Sequence, residues 1–243
     1  MVFLNREAFD EIEFDAAYTG DHRAAAREMM LLADTGIQTA GMPRSEAYVR
    51  AGEQWLLADE PVAAVNGFER ALADGGSSSV DPRVPLARAL YLLGRTDDAN
   101  ALIRQLGMAA PRDARMCDLV AELLVERSDL VGALAWATAG VEMCLGRSPG
   151  PIATGAAGPA PPSAESGQPR EAVAAPAPEA AGSGSAPPAG ERVSAAQADE
   201  TELRLLLSLR FRIRNDLGMP EDDYDRLLDR LPLAPGHSRW VGR

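Results

Sequence analysis

The feature that most constrains the fold is a pair of adjacent amphipathic helices within residues 47–72, AYVRAGEQWLLADEPVAAVNGFERAL. Apolar residues recur there with the spacing expected for one buried face of an α-helix. Gly52 lies inside the first helix, where a glycine costs about 1 kcal/mol relative to alanine. We expect close packing against the second helix to offset this cost, with Gly52 opposite Ala64. Trp55 and Phe68 would fill the space beside them.

The composition also favours helices over strands and excludes several classes of function. Aromatic residues make up only 5% of the chain, and its 24 basic residues are all Arg. The runs of Val, Ile, Thr and Tyr that are typical of strands are missing. Without Lys, the chain can form neither a phosphate-loop lysine site nor a Schiff base. A net charge of -12 argues against nucleic acid as a partner.

The spacing within the 47–72 helices resembles the tetratricopeptide repeat, a helical hairpin of about 34 residues. The matching positions are Tyr48, Ala51, Gly52, Trp55, Ala64, Phe68 and Ala71. Weaker copies begin near residues 6, 80 and 114. The resemblance implies an all-α fold, an α-solenoid of about four helical hairpins over residues 1–147, with a generic helical bundle or another α-solenoid as alternatives. The chain also resembles the helical part of bacterial tetratricopeptide proteins with a Cys-rich SEC-C tail, but that Cys cluster is absent from this sequence.

A change of composition separates these repeats from the C-terminal part of the chain. Residues 148–198 are rich in Pro, Gly, Ala and Ser and contain few large apolar side chains. Such a segment cannot bury enough apolar surface to offset its ordering entropy. We therefore predict a disordered linker over 148–198, followed by a C-terminal helical hairpin and tail over 199–243.

Two roles are open for this C-terminal hairpin. Apolar residues that need burial favour a cap on the last repeat. These residues are Leu203, Leu206, Leu207 and Phe211. Alternatively, the helix from Arg204 to Arg214 carries four Arg in an acidic chain and could dock within the chain, in the groove of the repeats. We interpret the acids Glu221, Asp222 and Asp223 as the start of the second helix rather than as a metal site.

Residues that often carry chemistry are sparse. Cys117 and Cys144 fit neither a disulfide framework nor a zinc site at their spacing, and we interpret both as small buried residues. His22 and His237 are both expected in loops, and no phosphate-loop, zinc-protease or nucleophile-elbow motif is found. We therefore predict that the chain is not an enzyme and holds no cofactor or metal.

The location of the protein is predicted from the same sequence. Acidic residues stand near the N-terminus where a signal peptide needs positive charge, and no apolar run approaches the roughly 18 residues of a membrane span. We therefore expect a cytoplasmic protein that does not contact membranes. The heavy use of Ala, Arg, Gly and Pro without Lys is typical of a GC-rich bacterial genome.

The resemblance implies a binding groove, because the first helix of each tetratricopeptide hairpin lines a concave channel. The positions it nominates are Asp10, Phe14, Glu46, Val49, Glu53, Leu56, Val84, Arg88, Tyr91, Asp118, Glu122 and Val125. Members of the family that bind acidic chaperone tails use Lys, Arg and Asn at positions that are mostly acidic or apolar here, so that activity is not implied. We predict a protein-interaction adaptor that binds a peptide or helix, and the acidic groove favours a basic one by charge complementarity.

Three alternatives fit the same residues. The acids of the groove could be an ordinary solvated face of an acidic protein. The chain could be a homo-oligomerisation module whose apolar helix faces bind a second copy. It could also be a regulatory subunit of an enzyme or transcription factor.

Overall fold

The computed structural model describes residues 4–36, 41–109, 111, 113–149, 152 and 189–231, with only the backbone described in 189–199. The described residues form ten α-helices and no strand, which confirms the predicted all-α fold. The helices are α1 (Arg6–Thr19), α2 (His22–Thr35), α3 (Arg44–Leu57), α4 (Pro61–Asp74), α5 (Arg83–Leu92), α6 (Thr96–Met108), α7 (Ala114–Glu126), α8 (Leu130–Cys144), α9 (Ala189–Asp216) and α10 (Asp223–Arg230).

Consecutive helices pack as hairpins. α1 packs on α2, α3 on α4, α5 on α6, α7 on α8, and α9 on α10. Because short turns join the first four pairs, the two helices of each pair run antiparallel. The first helices of successive hairpins also contact one another, from α3 to α5, from α5 to α7 and from α7 to α9. They therefore form one continuous face of the array.

Local sequence signals fix the ends of several helices. Asp21, Asp113 and Asp129 each accept a hydrogen bond from a backbone N–H in the first turn of α2, α7 and α8. Such side-chain caps satisfy amides that have no partner within the helix. Gly20 ends α1 in the left-handed conformation that glycine adopts without strain. The turns are thus encoded next to the helices that they end.

Close packing explains the glycine inside α3. A Cβ atom at Gly52 would lie 2.4 Å from a ring carbon of Phe68, and Phe68 is fully buried. On the other side, a Cβ atom at Gly67 would lie 3.2 Å from the Gly52 Cα. The partner backbone of Gly52 is therefore Gly67 rather than the predicted Ala64, although Ala64 is also fully buried. Two glycines and one aromatic ring together allow α3 and α4 to approach.

The C-terminal hairpin lies against the end of the array, where α9 packs on α8 and α7. Leu206 and Leu207 of α9 are buried with Val141 of α8. A Cβ atom at Gly140 would lie 2.8 Å from a methyl group of Leu206, so α9 also approaches closely. Phe211, which was expected to be buried, is 41% exposed, because the buried face of α9 continues through other positions. These positions are Leu209, Arg210 and Ile213.

A buried ionic network joins the two helices of this hairpin. Arg210 and Arg214 of α9 both pair with Asp222 and Asp225, at distances between 2.5 and 3.3 Å. Asp222 is also the N-cap of α10, one residue before the helix begins. Because two of the four Arg between Arg204 and Arg214 are used here, α9 does not present the basic face that its sequence indicated.

The segment between the repeats and the last hairpin differs from its predicted bounds. α9 begins at Ala189, ten residues before the predicted start at 199. Residues 189–198 contain no Leu, Ile, Met or aromatic residue, so hydrophobic spacing gave no signal there. Ile152 is buried, and its N–H donates to the Gly107 carbonyl. The remaining residues of the predicted linker, 150–151 and 153–188, lie outside the described residues.

Candidate functional site

A cavity of about 140 Å3 opens between α3, α5 and α7, on the face formed by the first helices of successive hairpins. We call it the groove pocket. Its apolar wall consists of Leu56, Val80, Val84, Pro85, Leu119 and Leu123. Its charged rim consists of Glu53, Arg88 and Arg115. A cavity of about 150 Å3 is large enough to hold benzene, so the groove pocket can hold one large apolar side chain.

The apolar wall is built from a simple spacing on each helix. Arg115, Leu119 and Leu123 follow one another at intervals of four along α7, so their side chains lie along one face. On α5, Val84 and Arg88 have the same spacing. Since α3, α5 and α7 lie side by side, these faces combine into one wall with charges at its edge.

Arg50 of α3 holds the neighbouring helix α1 in place. Its guanidinium donates to both carboxylate oxygens of Glu13, at 2.7 and 2.6 Å, and to Asp10 at 2.6 Å. It also lies over the Phe9 ring, 5.6 Å from the ring centre. Arg50 is almost fully buried, and its positive charge is therefore already balanced by two carboxylates of α1.

Glu46, one turn before Arg50, also has its partners within the chain. This buried carboxylate accepts hydrogen bonds from the Ser79 amide at 2.7 Å and the Ser79 hydroxyl at 2.9 Å. Ser79 lies in the connection before α5, so Glu46 anchors that connection to α3. Its role is structural, and it does not line the groove pocket.

Glu53 differs from these acids because it accepts no hydrogen bond from the described part of the chain. It is half-buried at the rim of the groove pocket. Burial, together with the carboxylates of Glu13 and Glu46, raises its pKa to about 7, whereas Arg50 and Arg115 oppose the shift. A carboxylate in this position is partly removed from water and has no donor among the described residues, and both conditions disfavour its charged form. An incoming cation or N–H donor would supply what it lacks.

A second group of acids lies farther along α7. Burial raises the pKa of Asp118 to about 6, with contributions from Glu122 and from Glu202 of α9, against the opposing effect of Arg115. Arg88, across the groove pocket, is paired with Glu126 at 2.5 Å. Arg115 thus acts on Asp118 as well as on Glu53.

The structure divides the predicted groove residues into three groups. Glu53, Leu56, Val84 and Arg88 line the groove pocket. Glu46, Val49 and Tyr91 are buried in the packing, and the Tyr91 hydroxyl donates to Asn100. The others lie on the first helices but outside the groove pocket. They are Asp10 and Phe14 on α1, with Phe14 73% exposed, and Asp118, Glu122 and Val125 on α7.

Several residues of the groove pocket are absent from the predicted set. Leu119, Leu123 and Arg115 were available from their spacing of four on α7, which is a stronger signal than fixed repeat offsets. Pro85 follows Val84 at the start of α5. Val80 lies in the connection before α5, where no helical period applies, so no sequence signal could have identified it.

The other candidate chemical groups are placed as follows. The Nδ1 atom of His22 lies 2.9 Å from the Gln54 side-chain oxygen, whereas His237 lies outside the described residues. Burial raises the pKa of Cys117 to about 12, so this thiol is not a reactive thiolate near neutral pH. Among the residues that the structure describes, no three His, Cys, Asp or Glu side chains converge on one metal position.

Comparisons with known proteins give no further guide to function. No family model matches the chain, and neither the curated proteins nor the solved structures yield a match. In the described ranges, none of the helices has both the length and the apolar character needed to cross a membrane. The function has to be inferred from the geometry and charges of the chain itself.

Proposed function

We propose that this chain is a non-catalytic interaction adaptor that holds a segment of another protein in the groove pocket between α3, α5 and α7. The observation that carries the proposal is an open cavity of about 140 Å3 with a mainly aliphatic wall. Peptide-binding proteins place a buried anchor side chain in such a pocket and surround it with a polar rim. The sequence resemblance to tetratricopeptide repeats supports the same face as the binding surface.

The character of the lining supports binding rather than catalysis. Among the described residues that line the groove pocket, six are apolar, and none is a Ser, Cys or His nucleophile. An enzyme needs a nucleophile or a paired acid and base within hydrogen-bond reach of a substrate. Glu53 and the two Arg of the rim instead provide the few polar groups that orient a bound side chain.

Selection of peptides against the full chain tests this proposal. A displayed library of random peptides is selected on the immobilised protein, and fluorescence anisotropy then measures the binding of the enriched peptides. Val84→Trp fills the groove pocket, whereas Val62→Trp adds the same side chain at an exposed position of α4. We expect Val84→Trp to weaken binding by about tenfold or more and Val62→Trp to leave it unchanged.

Two results would contradict the proposal. One is a selection that enriches no peptide above a blank surface. The other is equal binding to wild type, Val84→Trp and Val62→Trp, which would place the binding site elsewhere. Circular dichroism of both variants establishes that they are folded, and Leu56→Trp, at a half-buried position of α3, provides a second way to fill the groove pocket.

A further inference from the structure

We infer that the ligand of the groove pocket is a segment with one large apolar side chain and a Lys or Arg next to it. This inference rests on the proposed function and specifies the chemistry of the partner. The apolar side chain would enter between Leu56, Val84 and Leu119. The basic group would approach Glu53 at the rim.

The size and shape of the cavity determine the apolar part of the ligand. A volume of about 140 Å3 holds one Leu, Ile, Met or Phe side chain but not two, by comparison with a benzene-sized cavity. The wall contains apolar residues from all three helices, so an anchor side chain would be surrounded on several sides. Small side chains such as Ala would leave the cavity partly empty and lose most of this contact.

The charged part of the ligand is inferred from which charged side chains near the groove pocket already have partners. Arg50 is already bound by Asp10 and Glu13, and Arg88 is paired with Glu126. The guanidinium groups of both residues therefore already hold carboxylate partners. Glu53, by contrast, receives no donor from the described residues.

The surroundings of Glu53 indicate a cation rather than an anion. The carboxylates of Glu13 and Glu46 raise the pKa of Glu53, and the guanidinium groups of Arg50 and Arg115 oppose them without cancelling the shift. Arg115 also interacts electrostatically with Asp118, which reduces its attraction for an anionic ligand. A Lys or Arg of the partner would gain a charge-assisted hydrogen bond at Glu53. An acidic partner would instead bring its carboxylate close to that of Glu53.

Two of the four Arg of the basic helix are engaged elsewhere. The basic helix α9 packs on α8 and α7 at the end of the array, and its Arg210 and Arg214 are buried against Asp222 and Asp225. The groove pocket therefore does not take up the Arg210 and Arg214 side chains in this structure. We therefore assign the ligand to a partner, with side chains that match the groove pocket.

The composition of the selected peptides tests the inference, with selection carried out at about pH 8 so that Glu53 is ionised. We expect enriched peptides to contain Leu, Ile, Met or Phe beside Lys or Arg. Glu53→Gln should weaken the binding of such a peptide by about tenfold, as expected for loss of a charged hydrogen-bond partner. Glu69→Gln on α4, at an exposed position, removes the same charge away from the groove pocket and should leave binding unchanged.

A double-mutant cycle identifies the charge pair directly. Replacing the basic residue of the peptide with Gln should weaken binding to wild type but have little further effect on Glu53→Gln, so that the two changes are not additive. Fully additive changes would overturn the inference even if Glu53→Gln also altered the fold slightly.

The possible failures are distinguishable. If the peptides that bind less tightly to Val84→Trp are acidic or uncharged, the inference is overturned and the proposed adaptor function stands. Enriched peptides without a large apolar residue would overturn the anchor part alone. If no peptide is sensitive to Val84→Trp, the proposed function fails and the inference fails with it.

Discussion

Replacing Glu53 with Gln measures how much a carboxyl group in the groove pocket destabilises the folded chain. Burial and the neighbouring carboxylates raise the pKa of Glu53 from 4.5 to about 7 in the folded state. In the unfolded chain the pKa returns to about its ordinary value. Below about pH 4.5 the group is protonated in both states. As the pH rises towards 7, the unfolded state ionises first, so ionisation of Glu53 favours unfolding.

The expected size follows from this pKa difference. One pKa unit corresponds to about 1.4 kcal/mol, so above pH 7 the shift of the Glu53 pKa from 4.5 to about 7 lowers the free energy of unfolding by up to about 3.5 kcal/mol. Glu53 is half-buried, and solvent screening makes this value an upper bound. The Gln side chain has nearly the same shape and carries no charge. Glu53→Gln should therefore become more stable than wild type as the pH increases.

Urea denaturation followed by circular dichroism, at about pH 5 and about pH 8, measures this difference. Glu69→Gln is the matched control, because it makes the same change at an exposed position of α4 and accounts for the altered net charge. The stability difference between Glu53→Gln and wild type should grow between the two pH values, beyond any change in the control. An equal difference at both pH values would show that Glu53 is not held in an unfavourable environment.

Two further predictions concern the packing of the array. Gly52→Leu should lower the free energy of unfolding by about 3 kcal/mol in urea denaturation. The added Cβ atom would lie 2.4 Å from the buried Phe68 ring, and overpacking a core is costly. Increased stability would instead show that Gly52 is not closely packed. Asp225→Asn should speed hydrogen exchange in α9 but not in α3, because it removes a charge that pairs with two buried Arg side chains of α9. Asp223→Asn, at an exposed position of α10, the helix that also contains Asp225, should leave hydrogen exchange in α9 unchanged. Equal effects of the two substitutions would contradict a role for the buried network.

The helical class of the fold could be predicted because its signals are local. The spacing of apolar residues in α3 and α4 and the capping acids before α2 and α8 act on neighbours within one or two turns. The glycine inside α3 also indicated a close approach of two backbones. Which backbone approaches it could not be predicted, since Gly67 and Ala64 lie less than one turn apart on α4 and only the crossing of the helices selects between them.

The groove pocket was only partly predictable for the same reason. Repeat offsets nominated Glu53, Leu56, Val84 and Arg88, which do line it. The same offsets nominated Glu46 and Tyr91, which form hydrogen bonds within the chain. Glu46 bonds to Ser79 in the connection before α5, and Tyr91 bonds to Asn100 of α6. An offset gives the face of a helix, but a partner such as Ser79 is brought to that face by the path of the whole chain.

The sequence by itself determined that helices form, where most of them end and that the face of the first helices is rich in acids. Only the tertiary structure decided which of these acids have a donor among the described residues and which line the apolar cavity. Arg50 of α3 donates hydrogen bonds to Glu13 of α1, and Ser79 donates to Glu46. Glu53 lies at the rim of an apolar cavity. Helix formation depends on residues a few positions apart, whereas the energy of a charge depends on its distance to every neighbour in space and on its access to water.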